Sequence, residues 1–186
     1  MSERLIGKML APLARRVGNM LSRGTVVLAN TATKMQTLQI KLLADEAKDD
    51  IEHVEPYGLT ACPHPGAEHV TLFFGGDRSH GVVIVVADRR YRLQGLAAGE
   101  VALYDDLGQK VHLTRGGIVI DGAGLPMTIQ NTPHLTADTA QFTLTGDLAV
   151  QGKIDAVGDV TAGTISLIDH VHSGITPGGS NTGAAQ

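Results

Sequence analysis

Two histidines stand one residue apart near the end of this 186-residue chain, as His170-Val171-His172. On an extended strand, side chains two residues apart share a face, so the two imidazoles can hold one ion together. They cannot complete its coordination shell. If three copies of the chain met on an axis, six ring nitrogens would converge and an octahedral site would close. Such a site suits iron, nickel or cobalt better than zinc, which prefers four ligands. On pattern alone the pair also fits a solvated tail that collects adventitious metal. A redox or hydrolytic centre would need an open coordination position and a nearby acid or base. Asp169 adjoins the pair, but on a strand it falls on the face opposite His170, so the site reads as closed and structural.

Other chemistry-bearing residues are weaker candidates. Cys62, His64 and His69 could suggest zinc, yet no fourth ligand has suitable spacing and Pro63 and Pro65 mark a turn. Asp45, Glu46, Asp49 and Asp50 lack the regular spacing and central Gly of a calcium loop and read as a solvated loop. Cys62 is the single cysteine, which excludes an intrachain disulfide, and it reads as a small, partly buried hydrophobe. His53, His80, His112 and His134 are isolated and read as surface or hydrogen-bonded residues. Arg89, Arg90 and Arg92 around Tyr91 could touch phosphates, but their position at a domain exit suits pairing with acids of a neighbouring subunit better. With 15 Lys and Arg against 19 Asp and Glu, the net charge of −4 argues against a polyanion-binding protein.

The elements that must position these residues are mostly strands. Aromatics make up 3% of the chain, Trp is absent and 23 residues are Gly, so the core must be built from small apolar side chains in a repetitive or intersubunit interior. Residues 1–22 form a helical or flexible docking segment. Leu5, Met9, Leu13, Val17 and Leu21 lie at helical spacing, with Ile6, Leu10 and Met20 widening the stripe and Pro12 interrupting it. Arg4, Lys8, Arg15 and Arg16 take the other face, and without Trp or Phe as interfacial anchors a protein partner is favoured over a membrane surface. No run approaches the ~18 apolar residues of a spanning helix and no signal peptide is evident, so assembly in a cytoplasm is expected.

Residues 23–95 read as a small Greek-key barrel of the oligonucleotide/oligosaccharide-binding (OB) type. Thr25 to Leu28 opens it, Leu38, Ile40 and Leu42 mark one buried face, and His69 to Phe74 and Gly81 to Val86 are further strands, the last apolar enough for burial on both faces. The fold raises nucleic-acid binding as an alternative function. Tyr57, Phe73, Phe74 and Tyr91 are few stacking platforms for it, and at least one of the two phenylalanines must face inward. Beyond Leu93 strands alternate with turns at Asp105-Asp106-Leu107-Gly108 and Arg115-Gly116-Gly117, and Gly146-Asp147-Leu148 recurs as Gly158-Asp159-Val160. A single chain of this kind has no second sheet against which to bury its apolar residues. Three chains wound about one axis would enclose them, which predicts an intertwined, triple-stranded β-helical shaft over residues 96–168 and an apex over 169–186.

Three stretches carry a family resemblance: Gly76-Asp77-Arg78-Ser79-His80-Gly81, Gly99-Glu100-Val101-Ala102-Leu103-Tyr104-Asp105-Asp106, and Val160-Thr161-Ala162-Gly163-Thr164-Ile165-Ser166-Leu167 before the histidine pair. They resemble the baseplate assembly protein V family, the central tail spikes of contractile-tailed bacteriophages, in its Mu-type form. The resemblance spans the chain from about Arg23 to the C-terminus. It implies a homotrimer with an OB-like barrel, a tapering β-helix and a metal-capped apex, in which His170 and His172 of three chains hold an iron ion. Calcium and chloride ions inside the trimer are also implied, and the resemblance assigns them no ligands in this sequence, Asp155 and Asp159 included. The implied partners are the baseplate hub and tail tube, and the implied target is the host outer membrane, pierced on sheath contraction. The chain lacks the lysozyme-like insertion of some tail spikes, so no catalytic activity is implied. Ser173 to Gly179 has the turn residues to fold the chain back around the ion, where Ile175 could cover the histidine rings.

Overall fold

A computed structural model of the chain describes residues 3–42, 46–171, 174 and 178. It falls into two units, residues 1–129 and 130–186. The first opens with helix α1, Glu3–Asn19. Pro12 does not interrupt it, contrary to the sequence expectation. A proline removes one backbone hydrogen bond and crowds one carbonyl, and here the helical turns on either side carry the chain through.

Five strands follow: β1 (Leu21–Asn30), β2 (Thr37–Leu42), β3 (Ala47–His53), β4 (Glu68–Phe73) and β5 (Gly81–Ala87). They close in the order β1-β2-β3-β5-β4, with β3 and β5 parallel and the other pairs antiparallel. This is a small five-stranded, OB-like Greek-key closure. Alternation drives it: Leu38, Ile40 and Leu42 turn inward from β2 and meet Val26, Ile51, Ala67, Phe73 and Val83 in one core. Phe73 fills the space left by Gly81, its partner across β4 and β5, where a Cβ would lie 2.6 Å from the ring. Register shifts in the β1–β2, β2–β3 and β4–β5 pairs, with the extra residue in β1, β3 and β5, bend the strands enough to close so small a barrel.

Three strand expectations are corrected. Asp49 and Asp50 sit in β3 and not in a loop, Asp49 accepting a hydrogen bond from Gln39 (2.6 Å), while Glu46 pairs with Lys48 and Arg78; Asp45 lies outside the described residues. Phe74 leaves the strand for a single 3-10 turn, Phe74–Gly76. Although β5 is apolar throughout, Ile84 and Val85 are exposed, so its outer face is not covered within the chain.

Two histidines are built into the barrel. His53 in β3 meets Gln36 (3.1 Å), and His69 in β4 is bonded to Thr71 (2.8 Å). His69 lies over Gly24, its partner on β1; a Cβ at Gly24 would meet the ring nitrogen at 2.7 Å and strike the Lys41 carbonyl oxygen. Burial pushes both imidazoles below their ordinary value, opposed by Glu55 for His53 and by the Lys41 carbonyl for His69. A histidine with a lowered folded pKa is neutral when the unfolded chain already binds a proton. Stability is therefore full above about pH 6.5 and falls as pH drops through the folded pKa values. Thermal unfolding is expected to show a falling midpoint between about pH 7 and about pH 5, shallower in His69→Gln. An equal slope in the wild type and the variant would contradict this origin.

After the barrel, β6 (Val101–Tyr104), β7 (Lys110–Leu113) and β8 (Ile118–Asp121) form an antiparallel meander joined by the two expected turns. Asp105 closes the first turn by accepting hydrogen bonds from the amides of Leu107 and Gln109 (3.0 and 2.8 Å). Thr114 closes the second, its hydroxyl donating to the Gly117 carbonyl (2.9 Å).

In the second unit the expected strand-and-turn repeats are not hydrogen-bonded strands. Among the described residues from 130 to 160 no strand forms; irregular chain is broken by bends, among them those at 145–146, 151–152 and 157–158. The spacing is a regular six residues, with Gly146, Gly152 and Gly158 in the bends. A segment needs a neighbour to become a ladder, and the described residues offer this one none. Among the described residues of the unit, only the short hairpin of β9 (Thr161–Ala162) and β10 (Ile165–Ser166) pairs.

Candidate metal-binding apex and assembly face

The β10 strand ends in a turn over residues 167–169, and His170 follows it. This corrects the expectation of a continuous strand through the histidine pair. Asp159 organises the turn, its carboxylate accepting hydrogen bonds from the amides of Leu167 (3.1 Å) and Ile168 (3.2 Å), while the Ser166 hydroxyl accepts from Asp169 (2.9 Å). The Ser166 hydroxyl and these amides hold the Asp159 carboxyl below its ordinary pKa. Asp159→Ala is expected to loosen the turn locally, raising amide exchange at Leu167 and Ile168 by roughly tenfold. Unchanged exchange would remove Asp159 from this role.

The His170 ring is oriented by the same turn. Its Nδ1 lies 3.1 Å from the Ser166 carbonyl oxygen and 3.3 Å from that of Leu167. A proton on Nδ1 donated to these carbonyls selects the tautomer whose lone pair is on Nε2, the form a metal ligand requires. His172, Ser173 and Ile175 lie outside the described residues. Among the described residues no group of three or more His, Cys, Asp or Glu side chains comes together as a metal site. The donor chemistry at His170 fits a metal, and the described residues of one chain do not bring a full ligand set together around it.

The remaining sequence candidates are dispersed. Cys62 is exposed, not partly buried as expected. His64 pairs with Asp106 (3.0 Å) and packs on the Tyr91 ring, while His69 is buried in the barrel, so the three zinc candidates do not converge. Arg89 and Arg90 do not wait for a neighbour's acids: Arg89 pairs with Glu68 and Arg90 with Asp88 (2.6 Å) in the same chain. Asp155 pairs with Lys153 (2.7 Å). His112 stands 3.3 Å from Glu100, whose carboxylate also accepts the Ala97 and Arg115 amides, and these interactions hold Glu100 below its ordinary range.

The apolar residues that the sequence leaves without a covering sheet form a defined face on each unit. In the meander the register places Val101, Leu113 and Ile118 in one row and Leu103, Val111 and Ile120 in the next. All six are aliphatic and exposed, Ile120 at 63%. The opposite face carries the Lys110–Asp121 pair (2.9 Å) and His112 with Glu100. In the second unit every even position from Ala140 to Ala162 is apolar or Gly, including Phe142, Leu144, Leu148, Val150, Ile154 and Val160, and most odd positions are polar. Those six side chains are also exposed, Phe142 at 70%. Period-two counting along the whole segment gives the extent of this face, which the repeated tripeptides alone do not. Monomeric proteins rarely expose continuous aliphatic faces of this kind, and water is driven from them by association.

Comparison with known proteins agrees with this reading of the parts. The family profile described as Bacteriophage Mu Gp45, N-terminal, matches residues 23–90, and the profile of the GpV Apex motif matches residues 165–186, which include His170 and His172. The chain is 35% identical to the baseplate puncturing device gp45 of Escherichia phage Mu over 192 positions, covering 97% of this chain and 96% of that protein. It is 34% identical to the Mu-like prophage FluMu protein gp45 of Haemophilus influenzae over 173 positions, covering 90% and 93%. A barrel, an open apolar segment and a terminal apex motif in this order, with identity along almost the whole length, place the chain in the bacteriophage Mu Gp45 family.

Proposed function

We propose that the protein is the central spike of a contractile phage tail baseplate, a non-catalytic homotrimer that pierces the host outer membrane when the sheath contracts. The observation that carries the reading is the second unit: a segment apolar or Gly at every second position, with exposed side chains and no strand partner among the described residues. Three such segments intertwined would pair one another's backbones and turn their even-numbered residues inward as a triple-stranded β-helix. Residues 96–168 then form a shaft and 169–186 an apex, with 1–22 and 23–95 as the docking segment and the barrel. Force on such a body is concentrated at a tip a few strands wide.

The apex must resist fraying, because terminal residues have few packing partners. His170 and His172 from three chains would hold one metal ion, iron before nickel or cobalt, which would tie the three termini together as a structural cross-link. The turn fixed by Asp159 and Ser166 presents His170 in the ligating tautomer. Calcium and chloride inside the trimer are retained from the family likeness without ligands. The partners that follow are the baseplate hub and tail tube, with the virion tail as the location. The alternative, nucleic-acid binding by the barrel, has less support: Arg89 and Arg90 are engaged by Glu68 and Asp88, and the net charge is −4.

Phage particles whose spike ends after Ile168 test the function. They are expected to assemble and contract, but to admit an outer-membrane-impermeant dye into target cells at least about tenfold less often, as expected if the rigid apex concentrates the work. Dye entry equal to that of the wild type would overturn the piercing role of the apex.

A further inference from the structure

We infer that α1 is a self-association element: the helices of the three chains zip together along one seam and close the N-terminal end of the assembly. The inference rests on the trimer proposed above. In α1, Ile6, Leu10, Leu13 and Val17 recur at alternating steps of four and three residues, and Met20, just past the end of the helix, continues the spacing in sequence. These are the d and a positions of a heptad, the spacing that keeps an apolar seam facing a partner helix. Leu10, Leu13 and Val17 are 54%, 59% and 60% exposed, so the barrel of the same chain does not cover the seam. The helix touches the barrel elsewhere. At Gly76 (φ 74°) the backbone comes so close to Arg16 that a Cβ would lie 2.2 Å from its carbonyl oxygen, which fixes the last turn of α1 while leaving the seam open.

The rest of the heptad fits the same occupant. With Leu10 at a and Leu13 at d, Arg4 falls at b and Lys8 and Arg15 at f, the positions farthest from a partner helix, and Pro12 falls at c, away from the seam. Gly7 and Ala14 occupy e, where small residues permit close approach. An acidic groove on another protein would call for basic residues along the rim of the seam, and these are mostly on the far side. A lipid surface would call for aromatic anchors, which α1 lacks. A helix of 17 residues is marginal alone in water. Tethered to a trimer, three copies meet at an effective concentration in the millimolar range, on the order of 10⁻³ M, and no longer depend on their own affinity.

The test uses the full chain with Cys62→Ser, carrying either Leu13→Cys in the seam or Lys8→Cys on the outer face, oxidised with copper phenanthroline at low protein concentration. Native mass is recorded before oxidation. The expected result is a trimer in which Leu13→Cys forms an interchain disulfide at least about tenfold faster than Lys8→Cys, as the seam geometry requires. A trimer with equal, slow cross-linking at both positions overturns the inference and leaves the trimer standing. A monomer in both variants overturns the trimer as well. Protection of Leu13→Cys from maleimide by phosphatidylglycerol vesicles, without cross-linking, assigns the seam to a lipid surface and likewise overturns it.

Discussion

A chain carrying Ile120→Asp is expected to stay monomeric where the wild type assembles. Ile120 is exposed in the single chain, so an aspartate there costs a free monomer little. In a trimer whose meanders turn their aliphatic rows toward one another, the same substitution places three carboxylates in an apolar interior. Burying an unpaired carboxylate costs at least several kcal/mol, here multiplied by mutual repulsion. The assembly constant is expected to fall by more than about a thousandfold, with the barrel still folded. Sedimentation velocity reads the first outcome and far-ultraviolet circular dichroism the second. Val119→Asp is the control, because Val119 lies on the other face in register with His112. If Ile120→Asp sediments as a trimer, this face is not an interface.

The second large effect is expected at the apex. His170→Ala with His172→Ala removes both donors from every chain. The trimer is expected to persist, because its apolar faces lie elsewhere, while bound metal falls from one ion per three chains to below about a tenth of that. Amide exchange over the β9–β10 hairpin and the turn that follows should rise, since the cross-link joining three ends is gone. Metal retained by the double variant would place the ion on other ligands. Loss of the trimer would mean that the apex contributes to assembly and does not merely finish it.

The parts of this molecule legible from sequence are those whose partners lie within the chain. Leu38, Ile40 and Leu42 alternate against a core that the barrel itself supplies, and period-two reasoning placed them inside. The turns at Asp105 and at Thr114 were equally readable, because their side chains close them locally. Pro12 misled because a local rule was applied where neighbouring turns decide. At β5 an unbroken apolar run suggested two covered faces, yet Ile84 and Val85 face outward; hydrophobicity records what is to be buried and not which chain buries it. His69 was legible as a residue but not as a buried one, since its place depends on Gly24 across the β1–β4 pair. At the apex the histidine pair was plain, but the turn that sets the ring of His170 depends on Asp159, a contact no spacing rule announces.

The most direct measurement of the central claim is native mass spectrometry of the purified chain, with metal identified by plasma emission on the same sample. The account predicts a species of three 19.5 kDa chains carrying one tightly held metal ion, with iron as the element. A monomer without stoichiometric metal would contradict both the intertwined shaft and the shared apex.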